Sequence, residues 1–219
     1  GCRENRESGS LSGMMAFRNA ENPMKLYDSA MAPNPRRVRI FLAEKGITVP
    51  TVQVDIAKAE NRSPEFLAKN PLGGVPVLEL DDGTFLSESV AICLYFELTH
   101  PQPPLLGTDA RDKAVVEMWQ RRMELGLLSN TAGCFRNTHP FFKGRIPQVP
   151  EYGAVCKEAA AKQLAWLDGV LAKSRFIAGE RYTIADITAL VAIDFGRVSE
   201  IRILPEQKNL TRWYGEVSA

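Results

Sequence analysis

Every segment of this chain that reads as a β-strand lies before residue 87, and everything after the proline-rich stretch 100–107 reads as helix or loop. That division limits the fold more than any single motif does. A few short strands confined to the first part form one small sheet. A helix-only second part must bury its apolar stripes in a core of its own. With 219 residues, the chain has room for two compact units.

In the first part, residues 24–28 (MKLYD) form a short strand candidate, followed by a turn-rich 29–34. Helical spacing starts at Pro35, with Val38, Phe41 and Leu42 at i, i+3 and i+4, and Gly46 stops it. Asn34 suits the cap of this helix. Residues 51–55 (TVQVD) alternate as a strand does, and Ser63, Pro64 and Glu65 open a short helix. Strands 76–80 and 84–86 flank Asp82-Gly83, a hairpin pair suited to a type I′ turn. Ser87 then caps a helix running to Thr99, with Val90, Leu94 and Leu98 on one face. The order βαβ followed by αββα predicts one right-handed crossover and an antiparallel hairpin.

Three prolines in HPQPPLLG mark residues 100–107 as a linker between a unit at 24–99 and an all-helical unit at 108–219. Val115, Met118, Trp119, Met123 and Leu127 form one helical stripe, and Ala160, Leu164, Leu167 and Leu171 another. Between them lies a loop with Pro140, Gly144, Pro147 and Pro150. Thr183 to Asp186 reads as a capping box, with Tyr182 and Ile187 as its apolar staple. A last helix carries Leu210, Trp213, Tyr214 and Val217, with Asn209 as its cap. Residues 1–23 show no hydrophobic period and lack the apolar core of a signal peptide, so they read as a loose, disordered extension or a cloning remnant.

Composition removes several function classes. Hydrophobic residues make up 45% and charged residues 24%, values of an ordinary folded protein. Lys plus Arg at 27 against Asp plus Glu at 26 leaves no basic excess for nucleic acid. No apolar run is long enough to span a bilayer. Cys2, Cys93, Cys134 and Cys156 are scattered, with no His cluster at metal-ligand spacing, so no metal is expected. They read as reduced thiols in a cytoplasmic protein, Cys93 and Cys156 as small buried hydrophobes.

Three segments, KLYDSAMAPNPRRVRIFLAEKGI, NPLGGVPVLELDDGTFLSESVAICLYF and ERYTIADITAL, resemble the soluble glutathione S-transferase family. The middle one matches N-P-x-G-x-V-P, a hairpin, then E-S-x-A-I. The resemblance covers residues 24–219. It implies a thioredoxin-like N-terminal domain, an all-helical C-terminal domain, a homodimer, and glutathione as co-substrate.

It also implies roles for particular residues. Val75-Pro76 is expected to be a cis peptide whose Val75 backbone pairs with the glutathione backbone like an added strand. Without the resemblance, an ordinary trans bond at a strand start is the simpler reading. Ser89, with the amides at its helix start, suits the γ-glutamyl carboxylate, and Glu88 the neighbouring ammonium. Helix capping and compensation of the helix dipole are the plainer roles for these residues and are compatible with binding, which the resemblance favours. Arg62 stands where relatives often carry a lysine facing the glycyl carboxylate; its alternative is a solvated loop cation, as Asn61 beside it is a weaker candidate.

A thiol has a pKa of roughly 8.5, so a transferase must stabilise the thiolate. Relatives place a Ser, Cys or Thr donor where this chain has Ala32, counted back from Val38-Arg39. That departure argues against cysteine-type mixed-disulfide chemistry. The catalytic candidates left are Asn34, which some disulfide-reducing relatives with Thr-Pro-Asn place against the sulfur, and Ser29. Asn34 is equally well read as a helix cap. Tyr27 is one residue out of step with the tyrosine-using classes and reads as packing. Arg36 and Arg37, in a first helical turn, read as solvated or paired cations, or as a source of positive potential in the cleft.

For a small hydrophobic electrophile, the resemblance implies an interdomain pocket, with Trp119, Met123 and His139 as candidates beside Arg122, Leu127, Phe135 and Phe142; the apolar members of this set read more simply as core, and His139 as a solvated loop histidine. The functional expectation is a glutathione transferase that binds glutathione and stabilises its thiolate. Alternatives are a glutathione-dependent disulfide or peroxide reductase and a non-catalytic glutathione or hydrophobic-ligand binder.

Overall fold

The computed structural model describes residues 23–219, so all of the N-terminal extension but Pro23 lies outside the described residues. Strand β1 (Lys25–Asp28) leads into helix α1 (Pro33–Glu44) and strand β2 (Thr51–Gln53). Helix α2 (Pro64–Leu67) precedes strands β3 (Val77–Glu79) and β4 (Phe85–Ser87) and helix α3 (Ser89–Thr99). The sheet order is β2-β1-β3-β4, with β1 parallel to β2 and β3 antiparallel to both of its neighbours. Leu26, Val38, Phe41, Leu78, Ile92 and Phe96 form its core. Full burial of each such side chain stabilises by about 1.5–3 kcal/mol. A thioredoxin-like sheet therefore precedes a helical region, as the loss of strand signals predicts.

Three helix starts differ from the sequence expectation. Helix α1 begins at Pro33, with Ala32 at the cap in extended geometry (φ −81°, ψ 138°). A residue before proline is driven out of the helical region, and proline fits a first turn whose N–H groups are free anyway. Both prolines of Pro33-Asn34-Pro35 are therefore absorbed, and Asn34 lies inside the first turn instead of capping it. Helix α3 begins at Ser89, while Ser87 pairs with Val77 in the sheet. Helix α8 (Lys208–Val217) is preceded by Gln207, and Asn209 sits within its first turn, donating to Asp168 at 3.3 Å.

The hairpin turn also departs from type I′. Of Asp82 and Gly83 only the glycine has positive φ, 84°, and its N–H donates to the Leu80 carbonyl at 2.9 Å. The Asp82 carboxylate accepts the Thr84 N–H at 2.8 Å. That local bond fixes a right-handed turn with a glycine bulge in place of two left-handed residues.

The helical region runs α4 (Ala110–Arg121), a widened π-helical stretch Arg122–Leu128, α5 (Ser129–Thr138), α6 (Pro150–Leu171), α7 (Ile184–Gly196) and α8. Its core holds Leu127, Leu164, Leu167, Leu190 and Trp213. The Thr183–Asp186 capping box is formed. Ile187 is buried in the same cluster against which Tyr182 packs, as a staple requires. Buried Asp186 accepts from the Thr183 N–H (2.9 Å), the Ile177 N–H (2.9 Å) and the Trp213 indole (2.8 Å). Burial outweighs these bonds and pushes its pKa up to about 6.

The segment 100–107 is clasped. The fully enclosed Lys45 ammonium pairs with Glu97 at 2.7 Å and donates to the carbonyls of His100 (2.8 Å) and Pro103 (2.7 Å). The second Glu97 oxygen accepts the Leu106 N–H at 3.0 Å. Cys93, Cys134 and Cys156 are buried free thiols, and burial pushes Cys93 up to about 12. No helix among the described residues is long and apolar enough to cross a membrane.

Candidate active site

The sheet register gathers the sequence candidates at one end. Tyr27 pairs with Val77, and Val77 with Ser87. One residue further along the same register, Pro76 falls between Asp28 and Glu88. Val75, the residue before Pro76, lies past the end of the paired register. The Val75-Pro76 bond is cis. Among the described residues, neither the N–H nor the C=O of Val75 has a hydrogen-bond partner, although the residue is half-buried. An extended peptide has two free backbone groups to meet there.

Two helix N-termini converge on this edge. The Ser89 hydroxyl donates to the Asn34 carbonyl at 3.1 Å, tying the start of α3 to the first turn of α1. Its only proton is thereby engaged, so the donors left for a carboxylate at α3 are the free amides of its first turn. Glu88, immediately before, has φ 70° and ψ 120°. A non-glycine residue held there costs of order 1–3 kcal/mol, and such geometry clusters at ligand sites. Its exposed carboxylate projects from that bend.

The first turn of α1 is unusual in its donors. Pro33 and Pro35 have no N–H, so Asn34 supplies the only main-chain amide of the first three helical positions. The preceding loop is clamped from behind. Gln53 accepts the Ala30 N–H at 3.1 Å and donates to buried Asp28 at 3.0 Å. Arg39 donates to Asp28 at 2.5 Å and to the Ala30 carbonyl at 2.9 Å. Ala32 closes the loop by donating its N–H to the Ser29 carbonyl at 2.9 Å.

Arg62 lies along the loop that delivers Val75, its guanidinium donating to the Leu72 carbonyl at 3.1 Å. Gly73, at φ 64°, leaves room for it: a Cβ there would sit 2.7 Å from Arg62 Nη1. Asn61 is buried and donates to the Gly73 carbonyl at 2.8 Å, and Asn70 donates to Gly74 at 2.9 Å. Asn61 therefore shapes this loop. Tyr27 donates its hydroxyl to Glu79 at 2.8 Å and its pKa is pushed up to about 12, chiefly by burial, so it is a packing residue as expected.

The electrophile candidates do not assemble. Met123 is fully buried in the helical core and lines no open surface. It belongs to the apolar stripe that the helical half buries, together with Leu127. Trp119 stacks on Trp166 at 5.5 Å and lines a groove of about 490 Å³ with the end of α6 and residues 177–179, on the face of α4 turned toward α6. Arg122 packs over the same Trp119 ring at 4.7 Å. His139 ends α5, where its Nδ1 accepts the Phe141 N–H at 3.2 Å. Phe135 packs against His139, Phe142 and Phe195, with ring centroids 4.6, 5.2 and 5.0 Å away. Arg145 joins this segment to the sheet-bearing half through the Ala57 carbonyl at 3.3 Å.

Arg36 and Arg37 are paired. Arg36 meets Asp194 at 2.7 Å, and buried Arg37 meets Glu124 at 2.9 Å. The sequence gives no periodic signal for Glu124, because the widened helix breaks the count from which its facing would be read. Nor does it mark Gln53 as the clamp on Ala30; strand alternation shows only that it is polar.

The model "Glutathione S-transferase, N-terminal domain" matches residues 22–97, and "Glutathione S-transferase, C-terminal domain" matches residues 133–219. Glutathione S-transferase 2 of Saccharomyces cerevisiae is 36% identical over 195 residues, covering 87% of this chain and 84% of that protein. The crystal structure of Gtt2 from Saccharomyces cerevisiae superposes with a TM-score of 0.85 at 35% identity, over 89% of this chain and 95% of that one. A glutathione S-transferase domain-containing protein of Marinobacter aquaeolei gives a TM-score of 0.84 at 40% identity, over 89% and 97%.

Proposed function

Because the chain belongs to the glutathione S-transferase family, we propose that the edge formed by Val75-Pro76, Glu88-Ser89 and Asn34 holds glutathione and stabilises its thiolate. The protein is a glutathione transferase. In this reading the Val75 backbone pairs with the cysteinyl backbone, the amides at the start of α3 take the γ-glutamyl carboxylate, and Glu88 takes its ammonium. Arg62 faces the glycyl carboxylate. The glutathione-binding unit spans residues 24–99, followed by the linker and the helical unit at 108–219. The attacked partner is a small hydrophobic electrophile.

One observation carries the assignment of the thiol site. The Ser89–Asn34 bond brings two helix starts together, and Asn34 has the only main-chain N–H among the first three positions of α1. That N–H, the Asn34 side-chain amide and the positive end of the helix all favour an anion. Lowering the thiol pKa by one requires about 1.4 kcal/mol, and one hydrogen bond to a charged acceptor supplies about 1.5–3 kcal/mol. Ala32 contributes no donor; its small side chain leaves the approach open.

The test is a titration of the glutathione complex, following thiolate absorbance in the ultraviolet. The bound thiol ionises below the free one in this protein. Asn34→Ala raises its pKa, whereas Ser29→Ala serves as the competing assignment. An unperturbed thiol in the unmodified complex removes the mechanism, and an effect confined to Ser29→Ala transfers the donor role to that residue.

The working form is a cytoplasmic homodimer that disposes of reactive electrophiles. Leu72, Leu94 and Leu98 on the sheet-bearing half, with Met118 and Leu125 on the helical half, are exposed and offer apolar surface for association. Sedimentation measurements check this: a monomer at assay concentration excludes it.

A further inference from the structure

The buried side of α1 carries a polar cluster that the glutathione contacts leave unused. Arg37 is 3% exposed and its guanidinium points into the junction between the two halves. Nε donates to Thr188 Oγ1 at 3.1 Å. Nη1 donates to Glu124 at 2.9 Å and to the Asn34 side-chain oxygen at 3.4 Å. With the carboxamide of fully buried Gln120 assigned the orientation that gives both its ends partners, its oxygen accepts from Nη2 at 2.7 Å and its nitrogen donates to Thr188 and to the Ile184 carbonyl. Glu124 is the only carboxylate paired with Arg37 among the described residues.

A carboxamide has an oxygen that accepts and an NH2 that donates. At Asn34 the oxygen is turned to Arg37, so the NH2 is directed away from the buried guanidinium. Asn34 itself is exposed, so that direction leads to open solvent on the side of the helix start. Without Arg37 the amide has no group fixing which end faces out. An outward oxygen would repel a thiolate; an outward NH2 stabilises it.

We infer that Arg37 is a positioning residue for Asn34, fixing its amide with the donor end outward, and that Glu124, Gln120 and Thr188 in turn fix Arg37. This inference rests on the reading of Asn34 as the thiolate donor. Its consequence is that the donor on the sheet-bearing half is oriented by anchors on the helical half. Gln120 and Thr188 come from α4 and α7, and Glu124 from the widened turn after α4. No group of the helical half then has to touch the sulfur to influence its ionisation. π-Helical turns are found often at functional sites, and here the turn carries the one acid that neutralises Arg37.

The experiment compares Glu124→Gln and Thr188→Val in two backgrounds, unmodified and Asn34→Ala. Glu124 lies at the partly exposed end of the cluster, and Thr188→Val keeps the side-chain shape, so the pair guards against simple misfolding of either. The readouts are the ultraviolet titration of bound glutathione, its dissociation constant, and kcat separated from KM. In the unmodified background each substitution raises the bound-thiol pKa by about 0.5–1, a loss of about three- to tenfold in thiolate below that pKa. Glutathione affinity at a pH where the thiol stays protonated changes less than twofold, by our order-of-magnitude expectation for a group that does not touch the ligand. In the Asn34→Ala background neither substitution raises the pKa further.

An equal rise in the Asn34→Ala background overturns the inference, since Arg37 then acts by another route. An unchanged pKa in both single variants overturns it as well. If Asn34→Ala alone leaves the thiol unaffected, the reading of Asn34 fails first and the role of Arg37 falls with it. If Asn34→Ala raises the pKa but the anchor variants do not, only the positioning role fails.

Discussion

Replacing Glu97 by Gln tests whether the clasp on residues 100–107 contributes to stability. The Lys45 ammonium has 0% of its side chain exposed and Glu97 7%, at 2.7 Å from each other. Glu97→Gln keeps an oxygen for the Leu106 N–H but leaves the ammonium enclosed without a countercharge. The two carbonyl acceptors, from His100 and Pro103, satisfy hydrogen bonds but carry no net charge. Breaking one side of a buried pair costs about 3–5 kcal/mol. For a chain of this size each kcal/mol moves the melting temperature by about 2–4 °C, so a drop of about 6–20 °C is expected. The double variant Lys45→Met with Glu97→Gln removes the unpaired charge and recovers part of that loss. Urea unfolding of the unmodified protein, Glu97→Gln, Lys45→Met and the double variant gives the coupling energy directly. Added salt leaves the effect almost intact, because screening acts on exposed pairs. A loss under 1 kcal/mol for Glu97→Gln, or a double variant no better than the single one, would refute the reasoning.

Asp186 adds a dependence on pH. Its folded pKa of about 6 lies above the ordinary carboxylate value, so the unfolded chain releases the proton first. Its contribution to stability is therefore fully present below about pH 4 and is lost as pH rises to about 6, by roughly 3 kcal/mol. Urea midpoints from pH 4 to 7 check this, with Asp186→Asn flattening that part of the profile while losing about 1–3 kcal/mol, because an amide nitrogen meets the Thr183 or Ile177 donors. At Gly73, Gly73→Ala places a methyl 2.7 Å from Arg62 Nη1 and 2.8 Å from the Asn61 carbonyl at φ 64°. It lowers stability by about 1–3 kcal/mol and raises KM for glutathione more than it lowers kcat, as steady-state kinetics will show.

How much was legible in the sequence follows from how local each signal is. The switch from strands to helices, the hairpin, the capping box and the N-P-x-G-x-V-P segment are encoded in adjacent residues, and they appear in the structure near their expected places. Helix starts shifted by one or two residues because two rules competed. At Pro33 the restriction on Ala32 overrode the capping preference of Asn34. At Ser87 sheet pairing with Val77 overrode helix capping. The electrophile candidates were less legible. The apolar stripe through Trp119, Met123 and Leu127 reads as core, and Met123 and Leu127 are buried there, but nothing in that spacing shows that Trp119 stacks on Trp166 beside a groove. Apart from Asn34 one turn before it, the partners of Arg37 come from residues 120, 124 and 188, and no local pattern joins those to it.

The two prolines that open α1 also leave a practical mark on the molecule. Deuterium can report on a backbone position only through an exchangeable amide proton, and this turn has one where an ordinary helix start has three. A mass or resonance signal from Asn34 is therefore an isolated probe of that corner. Slower exchange there on adding glutathione would be read without overlap from the residues on either side.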